Sequence, residues 1–376
     1  MTLTRPAVRT RYAVPLAVLA VALTACSGDP STVAVPPTAS PTQDSSSAGA
    51  PSARPAASVA PSGAGPSVLV SGLEAPWGLA FLPGGDALVS ERDSARVLRV
   101  PAAGGAPVEV TTVEQARPAG EGGLLGLAVS PSFATDDLVF AYVTTEEDNR
   151  IVGFPLSSPQ DVEPVLTGIP KGRIHNGGRL AFGPDGLLYA GTGDTGDTDL
   201  SQDEGSLGGK VLRMTLDGDP AEAAGSLVFS KGHRNVQGLA FDDRGRLFAT
   251  EFGQNRFDEV NLLTDGGNYG WPEVEGAGTG GGRYTAPLVT WETSQASPSG
   301  AAIVGDSLYV AALRGERLWQ VPLAGGDPTP LLQGEYGRLR AAAAAPDGSL
   351  WVLTSNRDGR GDPVDADDRL LRLALQ

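Results

Sequence analysis

A short strand–turn–strand pattern recurs six times along this chain, and the repetition leaves few architectures open. Its first element reads GLAF at 78, GLAV at 126, RLAF at 179, GLAF at 238, GAAI at 300 and AAAA from 341. Polar turns such as PGGD, GPDG, DDRG and APDG follow, with a longer SPSFATDD in the second copy. Second elements then appear (ALVSE, LVFAYVT, LLYAGTG, LFATEFG, LYVAALR, LWVLTSN), and after a variable loop come third ones (RVLRV, RIVGF, KVLRMTL, DEVNLL, RLWQVPL, RLLRLAL). Turn chemistry and short apolar runs make these strands rather than helices. One small sheet cannot bury both faces by itself, so six sheets stacked around an axis are required, which is an all-β, six-bladed β-propeller over residues 67–376. The segment PSVLVSGL, ahead of the first copy, is expected to supply the outer strand of the last blade and close the ring.

In such a ring the first strand of each blade lines the axis, so residues just before the first strands share one mouth. These are Trp77, Glu121, His175, Arg234, Asn235, Gln237, Pro298, Ser299, Arg338 and Arg340. Second strands end on the same face and bring Asp194, Glu251 to Gln254, Arg314, Asn356 and Arg357 there. The chain has two histidines. His175 opens a hairpin that Asp194 ends, which pairs an imidazole with a carboxylate able to orient it and to favour its protonated form once it accepts a proton. The other, His233, is read as shaping the turn before Arg234. Arg234, Arg338 and Arg340, with Arg314 as a candidate fourth, suit a ligand carrying several carboxylates or phosphates, because the guanidinium fork pairs with such anions.

Asp258, Glu259, Glu273, Glu275 and the carbonyls of a glycine-rich loop are hard oxygen donors that suit calcium. The acidic DTGDTDLSQDEG stretch at 194–205 lacks the glycine of a helix–loop–helix calcium loop and reads as an exposed loop. There is no Cys/His cluster for zinc, no phosphate-cradling glycine loop between strand and helix, and no nucleophilic serine elbow. A net charge of −16 argues against nucleic acid as a partner.

Arg5, Arg9 and Arg11 precede a short apolar run, Ala13 to Ala22, that ends in LTAC at Cys26. This resembles a bacterial lipoprotein signal over residues 1–25, and the resemblance implies export, cleavage before Cys26 and lipid on its thiol. The lone cysteine excludes an intrachain disulfide framework. Residues 26–66, rich in Ser, Pro, Ala and Thr, read as a disordered tether, so contact with the cell membrane is expected through the Cys26 lipid alone.

APWGLAFLP, EGGLLGLAVSP, IHNGGRLAFGPDGLLYAGTGD, GHRNVQGLAF, DEVNLLTDGGNYGWP, SPSGAAI, ALRGERL and GRLR, taken in order, resemble the pyrroloquinoline quinone (PQQ)-dependent soluble glucose and aldose sugar dehydrogenases. The resemblance covers essentially all of residues 67–376. It implies oxidation of an aldose to a lactone, with PQQ and Ca2+ as cofactors and an unidentified external electron acceptor. It also implies that His175 is the general base, oriented by Asp194. Arg234, Asn235, Gln237, Arg338 and Arg340 would hold the cofactor. The carbonyls of Gly253 and Gln254 would meet a catalytic calcium, and Glu259, the Tyr269 carbonyl and the backbone near Glu275 a second, structural one. Three positions depart from the family pattern. Glu121 stands where glucose dehydrogenases carry a Gln, Gln254 replaces a Pro, and Leu313 takes the place of a cofactor-contacting Lys, with Arg314 next to it. Two other functions stay open on the residues alone: a non-enzymatic carbohydrate- or protein-binding propeller, and a calcium-dependent lactonase.

Overall fold

The computed structural model describes residues 65–221 and 225–375, so the leader, Cys26 and nearly all of the tether lie outside the described residues. Six antiparallel sheets are present, each running outward from an inner strand. The inner strands are Pro76–Phe81, Leu124–Val129, Leu180–Phe182, Val236–Phe241, Pro298–Val304 and Leu339–Ala344, numbered here as blades one to six. Second and third strands fall on the segments named above. The fourth strands, such as Val108–Thr112 and Thr329–Leu331, are short and largely exposed. Blade three gains a fifth, parallel strand, Gly267–Asn268, from the long loop of blade four.

The ring closes as expected. Ser67–Val70 pairs antiparallel with Leu370–Leu373 of the last blade, opposing Ser67 to Arg372 and Val70 to Leu370. Apolar side chains alternate into the seams between blades, where they form six buried clusters, one per seam. The cluster that joins the last blade to the first holds Val70, Leu79, Val89, Leu353 and Trp351, with the Trp351 ring edge-on to Phe81 at 5.0 Å.

Glycine at the inner strands follows from how closely neighbouring blades approach the axis. The Gly126 amide donates to the Gly178 carbonyl at 3.0 Å, and a Cβ on Gly126 would lie 2.2 Å from that oxygen. A Cβ on Gly238 would lie 2.4 Å from the Ser299 carbonyl, to which the Thr250 hydroxyl donates at 2.6 Å. Close packing at the axis brings the strand ends of different blades within side-chain reach of one another.

Replacing Trp351, which is 1 % exposed, by Ala is expected to cost about 3–5 kcal/mol of stability by opening the closing seam. Val68→Ala on the exposed outer strand should stay within about 0.5 kcal/mol. Urea unfolding followed by tryptophan fluorescence measures both, and comparable losses would show that the seam does not govern stability.

Candidate active site

His175 lies between the inner strands of blades two and three with φ +53°, a left-handed conformation uncommon for a residue with a side chain. Its backbone amide donates to Glu121 Oε2 at 2.8 Å, and its carbonyl accepts from the Thr195 amide at 3.2 Å. Gly193 permits this, because a Cβ there would sit 1.9 Å from the His175 carbonyl. Nδ1 of His175 lies 2.6 Å from Asp194 Oδ1. An acceptor at Nδ1 places the proton there in the neutral ring and leaves the Nε2 lone pair to act as a base.

Asp194 is fully buried. Oδ1 also accepts from the Gly196 amide at 2.8 Å, and Oδ2 accepts from the Trp271 indole N–H at 2.9 Å. Burial pushes this carboxyl up, but the hydrogen bonds from His175, Gly196 and Trp271 outweigh it and hold Asp194 below the ordinary carboxylate range. It stays ionised beside the imidazole. Arg234 packs over the same indole, with its guanidinium 5.6 Å from the ring centre. Gln254 fixes that guanidinium: its side-chain oxygen accepts from Nε at 2.9 Å and from Nη2 at 2.6 Å. The residue standing in place of a proline thus acquires a side-chain role.

Next to this group, a cavity at the axis is walled by Trp77, Arg92, Glu121, Gln237, Phe252, Leu313, Arg340, Asp358 and Arg360. Residues from five blades therefore share one opening. Arg340 Nη1 donates to Gln237 Oε1 at 2.8 Å, which orients the amide. Arg338 and Arg340 both reach Asp358 Oδ2, at 2.9 and 3.3 Å. Burial pushes Asp358 up, but the two guanidiniums hold it below the ordinary range. Glu121 takes Arg360 at 2.8 Å on Oε1 while Oε2 accepts from the His175 backbone amide, so it joins the cavity to the turn that carries His175. Several donors in this region are buried and unpartnered: Nε of Arg338, Nε of Arg340 and the Asn235 amide nitrogen, whose oxygen accepts from the Gly177 amide.

Arg314 is not part of this wall. Leu313 is buried and lines the cavity, whereas Arg314 is exposed. Alternation at a strand end sends neighbouring side chains to opposite sides, so the inward Leu313 turns Arg314 to solvent. Arg357 also turns away, donating to the carbonyls of Asp367 and Val364.

The acidic residues of blade four gather around a second, smaller cavity lined by Arg234, Glu251, Gly253, Glu259, Tyr269 and Glu275, among others. Glu275 Oε1 accepts from the amides of Gln254, Asn255, Arg256 and Phe257, so this oxygen organises the loop that carries Gly253 and Gln254. Burial pushes Asp258 up to about 6, and burial with Glu251 nearby raises Glu259. His233 is fully buried between Glu251 Oε1 and the Ser230 hydroxyl, each at 2.8 Å, away from the axial cavity. Among the described residues no three His, Cys, Asp or Glu side chains form a metal cage.

A family model described as Glucose / Sorbosone dehydrogenase matches residues 73–372. The chain belongs to this family. A PQQ-bound aldose sugar dehydrogenase from Streptomyces coelicolor is 54 % identical, with a TM-score of 0.78, covering 84 % of this chain and all of that one. The aldose sugar dehydrogenase of Escherichia coli is 28 % identical over 78 % of this chain and 90 % of its own length. Quinoprotein glucose dehydrogenase B of Acinetobacter calcoaceticus is 32 % identical over 56 % of this chain and 52 % of that protein.

Within this glucose/sorbosone dehydrogenase family member, sequence reasoning did not single out Trp271, Asp358, Arg92 or Arg360. Trp271 lay inside a quoted motif, but nothing in the spacing directs an indole of blade four onto a carboxylate of blade three. Asp358 had an available signal, since paired buried guanidiniums require a nearby acid.

Asp358→Asn should lower stability by about 3 kcal/mol at neutral pH, because both arginines lose their carboxylate. A carboxylate held low contributes fully above its unfolded pKa of about 4 and loses that contribution as pH falls through the folded value. The gap between wild type and variant should therefore close below about pH 4. Unfolding free energies measured from pH 7 to pH 2.5 check this, and a gap independent of pH would contradict it.

Proposed function

We propose that this dehydrogenase oxidises aldose sugars to lactones with PQQ and calcium, and that an external acceptor takes up the electrons. The observation that carries the reading is the His175–Asp194–Trp271 relay, tied through Glu121 to a cavity rich in arginine. PQQ fits the residues present: it is a flat polycarboxylate, and the cavity offers Trp77 and Phe252 beside three guanidiniums, of which Arg340 has a buried Nε without a partner. Calcium fits the hard oxygen donors of blade four, where buried Asp258 and Glu259 are disfavoured as anions without a counter-charge.

When bound, PQQ supplies a quinone carbonyl that accepts hydride, and calcium supplies the Lewis acid that polarises it. The residues Arg234, Asn235, Gln237, Arg338 and Arg340 would hold the cofactor. Gly253 and Gln254 would offer their carbonyls to the catalytic calcium, and Glu259, Tyr269 and the backbone at Glu275 would serve the structural one. His175 Nε2 takes the proton of the sugar's anomeric hydroxyl as hydride leaves the same carbon. Asp194 stabilises the resulting imidazolium, and Trp271 keeps Asp194 from rotating off Nδ1. Export and lipid anchoring at Cys26 belong to the same proposal. Radiolabelled fatty acid incorporation that depends on Cys26 would test them.

With calcium and PQQ added, the protein should reduce an artificial dye in the presence of an aldose. His175→Ala should slow this by about 10²- to 10⁴-fold while PQQ still binds. Trp271→Phe should slow it by about tenfold, and chelation of calcium should abolish it until calcium is returned. Sugar-independent dye reduction, or full activity in His175→Ala, would overturn the assignment.

A further inference from the structure

The six inner strands offer the same ring position to the axis, and five of them fill it with the smallest residues: Gly78, Gly126, Gly238, Gly300 and Ala341. Blade three places Arg179 there. This guanidinium is 7 % exposed and lies face-on to the Trp77 indole at 4.3 Å, while its Nε donates to the Gln237 carbonyl at 2.7 Å. Gly300 leaves room for it, since a Cβ there would come within 2.8 Å of Arg179 Nη2.

No carboxylate pairs with Arg179 among the described residues, and its Nη2 is buried without a partner. Burial and the like charge of Arg340 pull its pKa down to about 9, so it remains charged at neutral pH. A buried charge without a counter-ion costs stability, and apolar replacements of similar volume are often neutral or stabilising. Folding therefore gives no reason to keep an arginine where the other blades have glycine or alanine.

The groups Arg179 touches supply that reason. Trp77 and Gln237 both line the axial cavity, and Gln237 in turn holds Arg340. We propose that Arg179 is a positioning residue for the anionic cofactor: it plugs the channel beneath the cavity, braces Trp77 and Gln237, and adds positive charge that the bound polycarboxylate offsets. This rests on the PQQ reading above. The missing counter-ion is then the ligand itself.

Full-length protein stripped of cofactor, and its Arg179→Met variant, are compared by thermal unfolding and by calorimetric titration with PQQ in the presence of calcium. The cofactor-free variant should unfold at the same temperature as wild type or higher. Its Kd for PQQ should rise at least about tenfold, and Arg179→Lys, which keeps the charge, should recover part of the loss. A variant that binds PQQ as tightly as wild type overturns the inference, as does one that is markedly less stable without cofactor. Should Arg179→Met fail to fold, Arg179→Gln carries the same comparison. Wild type that does not bind PQQ defeats the functional reading and this inference together. Wild-type binding with an unchanged variant defeats the inference alone.

Discussion

Pairing between Ser67–Val70 and Leu370–Leu373 is the contact on which the rest of the structure depends. It joins the two ends of a ring whose apolar seams each link one blade to the next. The axial cavity is built across that joint. Trp77 and Arg92 belong to the first blade, while Arg340 and Asp358 belong to the last, and they share a wall only because the ring is closed. Closure thus joins stability and site formation in one event, and the apolar seam around Trp351 supplies much of the energy that holds it.

Charge is the second organising feature. The mouth concentrates guanidiniums in a protein of net charge −16, and most of them have an acidic partner: Arg360 has Glu121, Arg92 has Asp93, and Arg338 and Arg340 share Asp358. One carboxylate for two arginines leaves positive charge over, and Arg179 and Arg234 add to it with no carboxylate hydrogen-bonded to either guanidinium. A cavity with this surplus favours an anionic ligand without being driven apart when empty. The partial pairing also sets orientation, because each shared carboxylate limits the rotamers of the arginine it holds.

Much of the candidate site was legible because its residues sit at strand ends, and strand ends are located by the repeat. His175 and Asp194 emerged in this way from a single hairpin. Arg314 shows the limit of the method, since a one-residue displacement at the end of a strand exchanges inside for outside. Trp271 shows another limit: it comes from a long loop with no repeat to align it, and its hydrogen bond to Asp194 joins different blades. The outer strands were equally hard to read, because they pack on one side and carry little apolar pattern.

The amino-acid sequence by itself determined the six-fold blade architecture, the closing strand and most, though not all, of the strand-end residues that face the mouth. Those properties follow from local pattern and its period, which a linear string records. Only the tertiary structure decided which acid meets which arginine, which of Leu313 and Arg314 enters the cavity, and that Arg179 is buried against Trp77 with no carboxylate beside it. Such relations depend on distances between blades, and those distances exist only once the inner strands have packed around a common axis.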